Sequence, residues 1–197
     1  MKPYIYGEKD GVHIFDLVKT KAGLDAAAAF VKILVGQGKV ILFVGTKRQA
    51  QEIVKREATR VGMPYLTQKW VGGMLTNFSQ MQKRVLTLKD LKAKRTSGDL
   101  KKYTKKEQLL IDREIAQLEK FLGGVVDMDK LPDALFIVDT HREEVAVREA
   151  NKVGIPVIGM VDTNGSAREI DYVIPINDDA VKSIELVVSA IAGAIKK

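Results

Sequence analysis

Short apolar runs alternate with amphipathic segments along most of this chain. The run KVILFVG (39–45) is continuous and rich in β-branched residues, which is the pattern of a strand buried on both faces of a parallel sheet. Further strands are predicted at 64–66, 134–139, 156–162 and 172–175. Because helical patterns separate these runs at short spacing, we predict an α/β fold.

The predicted helices cover 25–35, 46–62, 143–154 and 180–195. The first is rich in alanine, and its apolar residues, Ile33 among them, are expected to face a core. Strands and helices that alternate in this way favour a doubly wound, mostly parallel sheet. For five strands we predict the flavodoxin-like order 2-1-3-4-5.

One segment in the middle of the chain interrupts this alternation. No strand pattern occurs there, and apolar residues recur at spacings of three and four in two series. The first series is Phe78, Met81, Val85, Leu88 and Leu91, and the second is Ile111, Ile115, Leu118 and Leu122. Thr104 and Glu107 have the spacing of a capping box. We predict an inserted antiparallel coiled-coil helical hairpin at 76–122, mounted on an α/β sandwich domain formed by 1–75 and 123–197.

Positive charge is concentrated in the same region. The chain contains 32 Lys and Arg against 25 Asp and Glu, a net charge of +7. The stretch 69–106 holds eleven basic residues and two acidic ones, so it carries +9 and the rest of the chain −2. The eleven are Lys69, Lys83, Arg84, Lys89, Lys92, Lys94, Arg95, Lys101, Lys102, Lys105 and Lys106. Since 107–122 nets −2, the basic charge is expected on one flank of the hairpin.

A basic helix face is commonly only a solvated surface on which Lys alternates with Glu. In the first hairpin helix, however, the six basic residues between 83 and 95 are accompanied by Asp90 alone. Like charges at such density destabilise the helix unless a polyanion offsets their repulsion. The segregation of charge therefore predicts binding to nucleic acid or to another polyanion.

The string KWVGGMLTNF (69–78) leads into the hairpin and contains the single tryptophan of the sequence. The paired glycines at 72 and 73 allow the backbone to approach another group closely. Trp70 is a candidate for stacking on a base, although packing in a core is the commoner role of a lone tryptophan.

Three predicted strands end in similar polar sequences, GTK, DTH and DTN. Ligands usually bind at the carboxyl ends of the strands in an open α/β sheet. Thr46, Lys47 and Arg48 are also expected at a helix N-terminus, where free amides favour an anion. This placement makes the three residues secondary candidates for phosphate contact.

The same strand ends allow two interpretations. In one, Asp139 or Asp162 holds a metal or acts as a base in a phosphate or nucleotide pocket; in the other, these residues are ordinary caps and turn formers. No GxGxxG or GxxxxGK[ST] loop follows the first strand, and no GxSxG elbow occurs. His13 and His141 lack metal-ligand spacing, and cysteine is absent from the sequence. We therefore predict no enzyme activity, no catalytic residue, no metal site, no cofactor and no small-molecule substrate.

No apolar run reaches the roughly 18 residues needed to span a bilayer. The N-terminal stretch MKPYIYGEKDG does not have the pattern of a signal peptide. The predicted location is therefore the cytoplasm, without membrane association.

Several strings closely resemble the bacterial ribosomal protein S2 family, the second protein of the small (30S) ribosomal subunit. The resemblance covers nearly the whole chain and is carried by WVGGMLTNF, LPDALFIVDT, GIPVIGMVDTN and YVIPINDDA. It implies an α/β sandwich with a protruding coiled-coil hairpin. It further implies a non-enzymatic constituent of the subunit that binds small-subunit (16S) ribosomal RNA and supports assembly and translation. The implied protein partners are neighbouring small-subunit proteins and the large S1 protein, which this family helps to recruit.

The sequence departs from the family pattern at two places. Family members carry an N-terminal arm and helix before the MKPYIYG stretch, whereas this sequence begins at Met1, so the usual arm is expected to be missing. The residues GSARE (165–169) stand where the family usually has a Cys-Asp-Pro type of turn. The second change is expected to alter a surface loop and not the fold.

The sequence thus predicts an RNA-binding structural protein of the small ribosomal subunit. The predicted RNA contacts are the eleven basic residues of 69–106, Trp70 and, more weakly, Thr46, Lys47 and Arg48. Binding is expected to be dominated by phosphate contacts and to be sensitive to salt. Two other classes stay open: an α/β phosphate- or nucleotide-binding enzyme that uses the strand-end Thr and Asp residues, and a protein-interaction scaffold whose hairpin meets an acidic partner.

Overall fold

The structure, a computed structural model, describes residues 1–195, with the backbone alone at Lys101. The strands are β1 (Ile5–Lys9), β2 (Val12–Phe15), β3 (Ile41–Val44), β4 (Tyr65–Leu66), β5 (Ala134–Ile137), β6 (Val157–Val161) and β7 (Tyr172–Pro175). The α-helices are α1 (Leu17–Gly36), α2 (Gln51–Arg60), α3 (Phe78–Ser97), α4 (Lys105–Leu122), α5 (Glu144–Val153) and α6 (Val181–Ile195). Among these described helices, none is long and apolar enough to cross a membrane.

Five of the strands form one parallel sheet in the order β4-β3-β5-β6-β7. Counted along the chain within this sheet, the order is 2-1-3-4-5, so the predicted doubly wound, flavodoxin-like arrangement is confirmed. In register, Phe43 of β3 lies between Tyr65 of β4 and Phe136 of β5. Strands β1 and β2 form a separate antiparallel pair.

Both faces of the sheet are covered, which explains why its central strands are continuously apolar. Ile41 and Phe43 belong to a core shared with α1, α2 and α6. Leu42 and Val44 point the other way, into a core shared with α5 and with the ends of α3 and α4 near the sheet. All four side chains are fully buried. The hairpin is therefore anchored in the core on the α5 side of the sheet.

Helix α1 begins eight residues before the predicted start. The Asp16 carboxylate caps it by accepting a hydrogen bond from the Val18 amide at 3.0 Å. Gly23 weakens the helical pattern in the sequence, but it is needed where α1 meets β7. A Cβ at Gly23 would lie 2.3 Å from the Val173 carbonyl oxygen. At the other end of the helix, Ile33 was predicted to face the core and is instead 60% exposed.

Helices α3 and α4 pack against each other and run antiparallel. All the residues of the two predicted apolar series are buried or half-buried. At the start of α4, Thr104 and Glu107 form the predicted capping box, with the Thr104 amide donating to the Glu107 carboxylate at 2.8 Å. A coiled-coil seam, and the division into a body and an insertion at 76–122, stay predictions.

A single carboxylate fixes the loop through which the chain leaves the sheet and enters α3. Glu149 lies on α5, is only 7% exposed, and accepts five hydrogen bonds from this loop. The donors are the Trp70 indole (3.1 Å), the backbone amides of Gly73 (2.7 Å), Leu75 (3.0 Å) and Thr76 (3.1 Å), and the Thr76 hydroxyl (3.1 Å). We call residues 70–76 the hinge loop. Glu149 joins it to the body of the protein.

The pKa of Glu149 reflects this environment. Burial by itself would raise the pKa of a carboxyl group. The hydrogen bonds donated by Thr76, Trp70, Gly73 and Leu75 outweigh burial, and the pKa lies below its ordinary value. The group is therefore held in its ionised form, which is the form that can accept all five bonds.

Replacing Glu149 by Gln should lower the free energy of unfolding by about 2–4 kcal/mol. The NH2 group of glutamine would face buried N–H and O–H donors, and these donors would then lack an acceptor. Chemical denaturation followed by circular dichroism measures the change. The matched control is Glu144→Gln on the same helix, where the carboxylate is exposed and pairs with Arg148. It should change stability by less than about 0.5 kcal/mol. Equal effects of the two substitutions would contradict the role given to Glu149.

The stability contributed by Glu149 should also depend on pH. Because its folded-state pKa is depressed, the contribution is fully present above the ordinary carboxyl value of about 4.3 and is lost as pH falls through the lower folded-state pKa. The difference in stability between the unaltered protein and Glu149→Gln should therefore shrink as the pH is lowered from 7 to below the folded-state pKa. Melting temperatures of both proteins across this range would test the sign, and a difference that grew with acidification would refute it.

Candidate nucleic-acid interface

Four of the predicted hairpin cations form ion pairs with acidic side chains. The pairs are Lys89–Asp127 (3.8 Å), Lys92–Glu119 (2.5 Å), Lys94–Asp90 (2.7 Å) and Arg95–Asp112. All four basic side chains are about half exposed, so each pair adds little stability, but each neutralises charge locally. The repulsion expected within α3 is therefore smaller than the sequence suggested, because three of the acids come from α4 and the segment after it.

The other described cations of 69–106 are exposed and make no ion pair within 4.0 Å among residues 1–195. They are Lys69, Lys83 and Arg84 near the hinge loop, and Lys102, Lys105 and Lys106 at the far end of the hairpin. The side chain of Lys101, also predicted to contact RNA, lies outside the described part of the structure. The exposed cations without an ion pair among the described residues therefore lie at the two ends of the hairpin.

Trp70 does not belong to this exposed surface. Its side chain is 7% exposed and lies in the core on the α5 side of the sheet. Its indole nitrogen donates to Glu149. The structure therefore gives this tryptophan the commoner role of packing in a core, and little of its ring is left for contact with a base.

The secondary candidates Thr46, Lys47 and Arg48 are not at a helix N-terminus. Helix α2 begins at Gln51, and the three residues lie in the turn that precedes it. The three residues thus precede the first turn of α2, and contact with an anion through free amides there stays a prediction. Only Arg48 has an exposed side chain.

Lys47 is held by carboxylates at the carboxyl edge of the sheet. Its ammonium nitrogen lies 3.2 Å from Asp139, 2.5 Å from Asp178 and 2.5 Å from Asp179. Burial raises the pKa of Asp178 to about 6, with Asp139 and Asp162 contributing in the same direction and Lys47 opposing them. Burial alone would lower the pKa of Lys47, but the three carboxylates raise it above its ordinary value. This lysine is thus an internal counter-ion and is not free to bind a phosphate.

Thr46 is occupied in a similar way. Its hydroxyl donates to the buried carboxylate of Glu143 and accepts a hydrogen bond from Arg142 Nε at 3.1 Å. Burial raises the pKa of Glu143, and the hydrogen bonds with Thr46 oppose the shift. Thr46 is therefore already bonded within the protein, although the buried hydroxyl of Thr140 at the same edge has no hydrogen-bond partner among the described residues.

Oxygen ligands for a hard cation do occur at this edge. Carboxylate oxygens of Asp162, Asp178 and Asp179 lie within 4.8 Å of one another. Lys47, however, already bonds to Asp178 and Asp179 and supplies the compensating charge. The arrangement is explained by its internal ion pairs.

Sequence reasoning missed two features of the interface. One is Glu149, although a signal was present, since an acidic residue next to Ala146, Val147 and Ala150 falls on the buried face of its helix. The other is a groove beside the hinge loop, between Lys69 and the helices α3 and α4. Nothing in the sequence predicts a groove that is formed by segments so far apart along the chain.

Comparison with known proteins places the whole chain in one family. The sequence model of the family described as ribosomal protein S2 matches residues 1–197. Three relatives, each named small ribosomal subunit protein uS2, come from Roseiflexus sp., Coprothermobacter proteolyticus and Parabacteroides distasonis. Their identities are 54%, 52% and 50%, over 98%, 99% and 100% of this chain and 74%, 73% and 71% of their own lengths. The chain therefore belongs to the ribosomal protein S2 family.

Proposed function

We propose that this protein is a structural constituent of the small ribosomal subunit and binds small-subunit (16S) ribosomal RNA through the unpaired cations of its hairpin. Membership of the S2 family, whose relatives are named as proteins of that subunit, supports the first part. The observation that carries the second part is the set of six exposed cations without an acidic partner among the described residues. RNA phosphates are the ligands that would neutralise them.

The hairpin offers two contact regions for RNA. Lys102, Lys105 and Lys106 stand at its tip, while Lys69, Lys83 and Arg84 lie near its base. The helix α3 spans 20 residues, about 30 Å at 1.5 Å per residue, so the two regions can reach phosphates on separate RNA segments. Such binding depends more on the shape of the folded RNA than on its base sequence.

A non-enzymatic role fits the carboxyl edge of the sheet. An α/β phosphate-binding enzyme would use residues such as Thr46 and Asp139, but here Thr46 bonds to Glu143 and Arg142, and Asp139 pairs with Lys47. The function of these contacts is to hold the body together. The residues proposed to bind RNA lie elsewhere, on the hairpin and beside the hinge loop.

The partners follow from the same family membership. They are small-subunit ribosomal RNA and neighbouring proteins of the small subunit, and we extend the proposal to the large S1 protein. The place of action is the cytoplasm, in the small ribosomal subunit, where the protein would support assembly and translation.

Replacing the unpaired Lys83, Lys102, Lys105 and Lys106 by Gln should weaken binding to 16S ribosomal RNA roughly 100-fold at physiological salt. The slope of log affinity against log salt should become shallower by about 3–4, because each lost phosphate contact removes nearly one released counterion. Filter binding or fluorescence anisotropy over a salt series measures both quantities.

The matched control removes the same amount of charge from paired positions, Lys89, Lys92, Lys94 and Arg95. Since these cations are paired with acids and are not proposed to contact phosphates, their loss removes few released counterions, and the salt slope should change by less than about 1. Circular dichroism verifies that both variants remain helical. If the two variants lose equal affinity, total charge rather than the unpaired cations governs binding. If neither loses any, the proposed RNA surface is wrong.

A further inference from the structure

A groove of about 460 Å³ lies between the hinge loop and the hairpin helices. Its apolar lining, called its floor below, includes Trp70, Val71, Leu118 and Phe121. The size is in the range of pockets that take a small organic group. We call this cavity the hinge groove. Neither the family relationship nor the hairpin charge assigns it a ligand.

Two cations stand at the hinge groove. Lys69 and Arg84 both line it, both are exposed, and neither forms an ion pair within the described residues 1–195. Two positive charges beside an apolar floor complement a ligand that has an anionic end and a flat, less polar end. A nucleotide has both parts, a phosphate and a base.

Two polar side chains of α4 complete the lining. Glu114 and Gln117 are exposed and face the hinge groove from the opposite side to the hinge loop. The Gln117 amide can both donate and accept, so it suits any base. The Glu114 carboxylate only accepts when ionised, so it favours a base with an exocyclic amino group, such as cytosine, over uracil, which presents a carbonyl there.

We propose that the hinge groove binds one unpaired nucleotide of an RNA single strand, with its phosphate on Lys69 and Arg84 and its base against Phe121 and Glu114. This inference rests on the proposed RNA-binding function and adds a specific subsite to it. Unpaired bases can be splayed out and packed on aromatic side chains, whereas the bases of a duplex cannot. The hinge groove would therefore distinguish single-stranded from fully paired RNA, which hairpin phosphate contacts do not.

Gly72 allows the hinge groove to be filled without changing the charge of the protein. It lines the groove, and a Cβ placed there meets no atom within 4 Å, so a side chain can start at this position without a clash at its first carbon. Gly72→Phe should lower the affinity for oligocytidylate roughly tenfold and change the affinity for a fully paired RNA duplex less than about twofold. The control Gly72→Ala should bind both RNAs as the unaltered protein does. Fluorescence anisotropy with the full chain gives the affinities, and melting temperatures verify folding.

A second variant tests base selection without filling the groove. The unaltered protein should prefer oligocytidylate to oligouridylate roughly fivefold, and Glu114→Gln should remove the preference. An unchanged preference in Glu114→Gln, or unchanged oligocytidylate affinity in Gly72→Phe, would overturn the hinge groove as a nucleotide site. Binding of cytidine monophosphate as tightly as oligocytidylate would overturn RNA as its ligand.

These results are independent of the test of the hairpin surface. Failure of the hinge groove leaves the salt-dependent binding to 16S ribosomal RNA intact. Failure of the proposed function would instead appear as unchanged affinity and salt slope in the variant that lacks Lys83, Lys102, Lys105 and Lys106.

Discussion

The arrangement of this protein depends on one buried carboxylate. An ionised carboxylate away from water is costly unless donors surround it. Glu149 meets five donors from the hinge loop and has no basic side chain among its hydrogen-bond partners in the described structure. Since three of those donors are backbone amides, the bonds specify the path of the chain and not only the position of side chains. The direction in which α3 leaves the body, and with it the position of Arg84, follows from this path.

Pairing within the protein likewise separates the charges proposed to bind RNA from those that hold the structure together. Lys47 is cationic but is surrounded by carboxylates, so it holds strand ends together. Lys92 and Arg95 are cationic but are matched by α4. Lys105 and Lys106 have no such acidic partner among the described residues. A count of basic residues in the sequence adds these classes together, whereas a polyanion responds mainly to the charge that remains after internal pairing.

Features determined by neighbouring residues could be predicted from the sequence. The buried strands, the two apolar series of the hairpin and the Thr104 capping box all depend on spacings of a few residues. The order of the strands, which pairs segments far apart in the sequence, was predicted from the general rule for alternating strands and helices. Features that join distant segments could not. Trp70 forms a hydrogen bond with Glu149, which lies 79 positions away in the sequence, and Lys47 forms one with Asp178, 131 positions away. No local pattern reveals that such residues already have partners, and for this reason Trp70 and Lys47 were assigned to RNA.

Affinity and selectivity for RNA would then come from different parts of the molecule. Exposed lysines at the tip of a long hairpin contribute a strong but unselective attraction that salt weakens. The hinge groove is shaped by packing, since its walls come from the hinge loop and from α3 and α4. A subsite of this kind can favour one base through its shape and through the hydrogen bonds of Glu114 and Gln117, which a flexible lysine in water cannot do. Because Glu149 holds one wall of the groove, a residue that never touches RNA would set how well the protein chooses among RNAs.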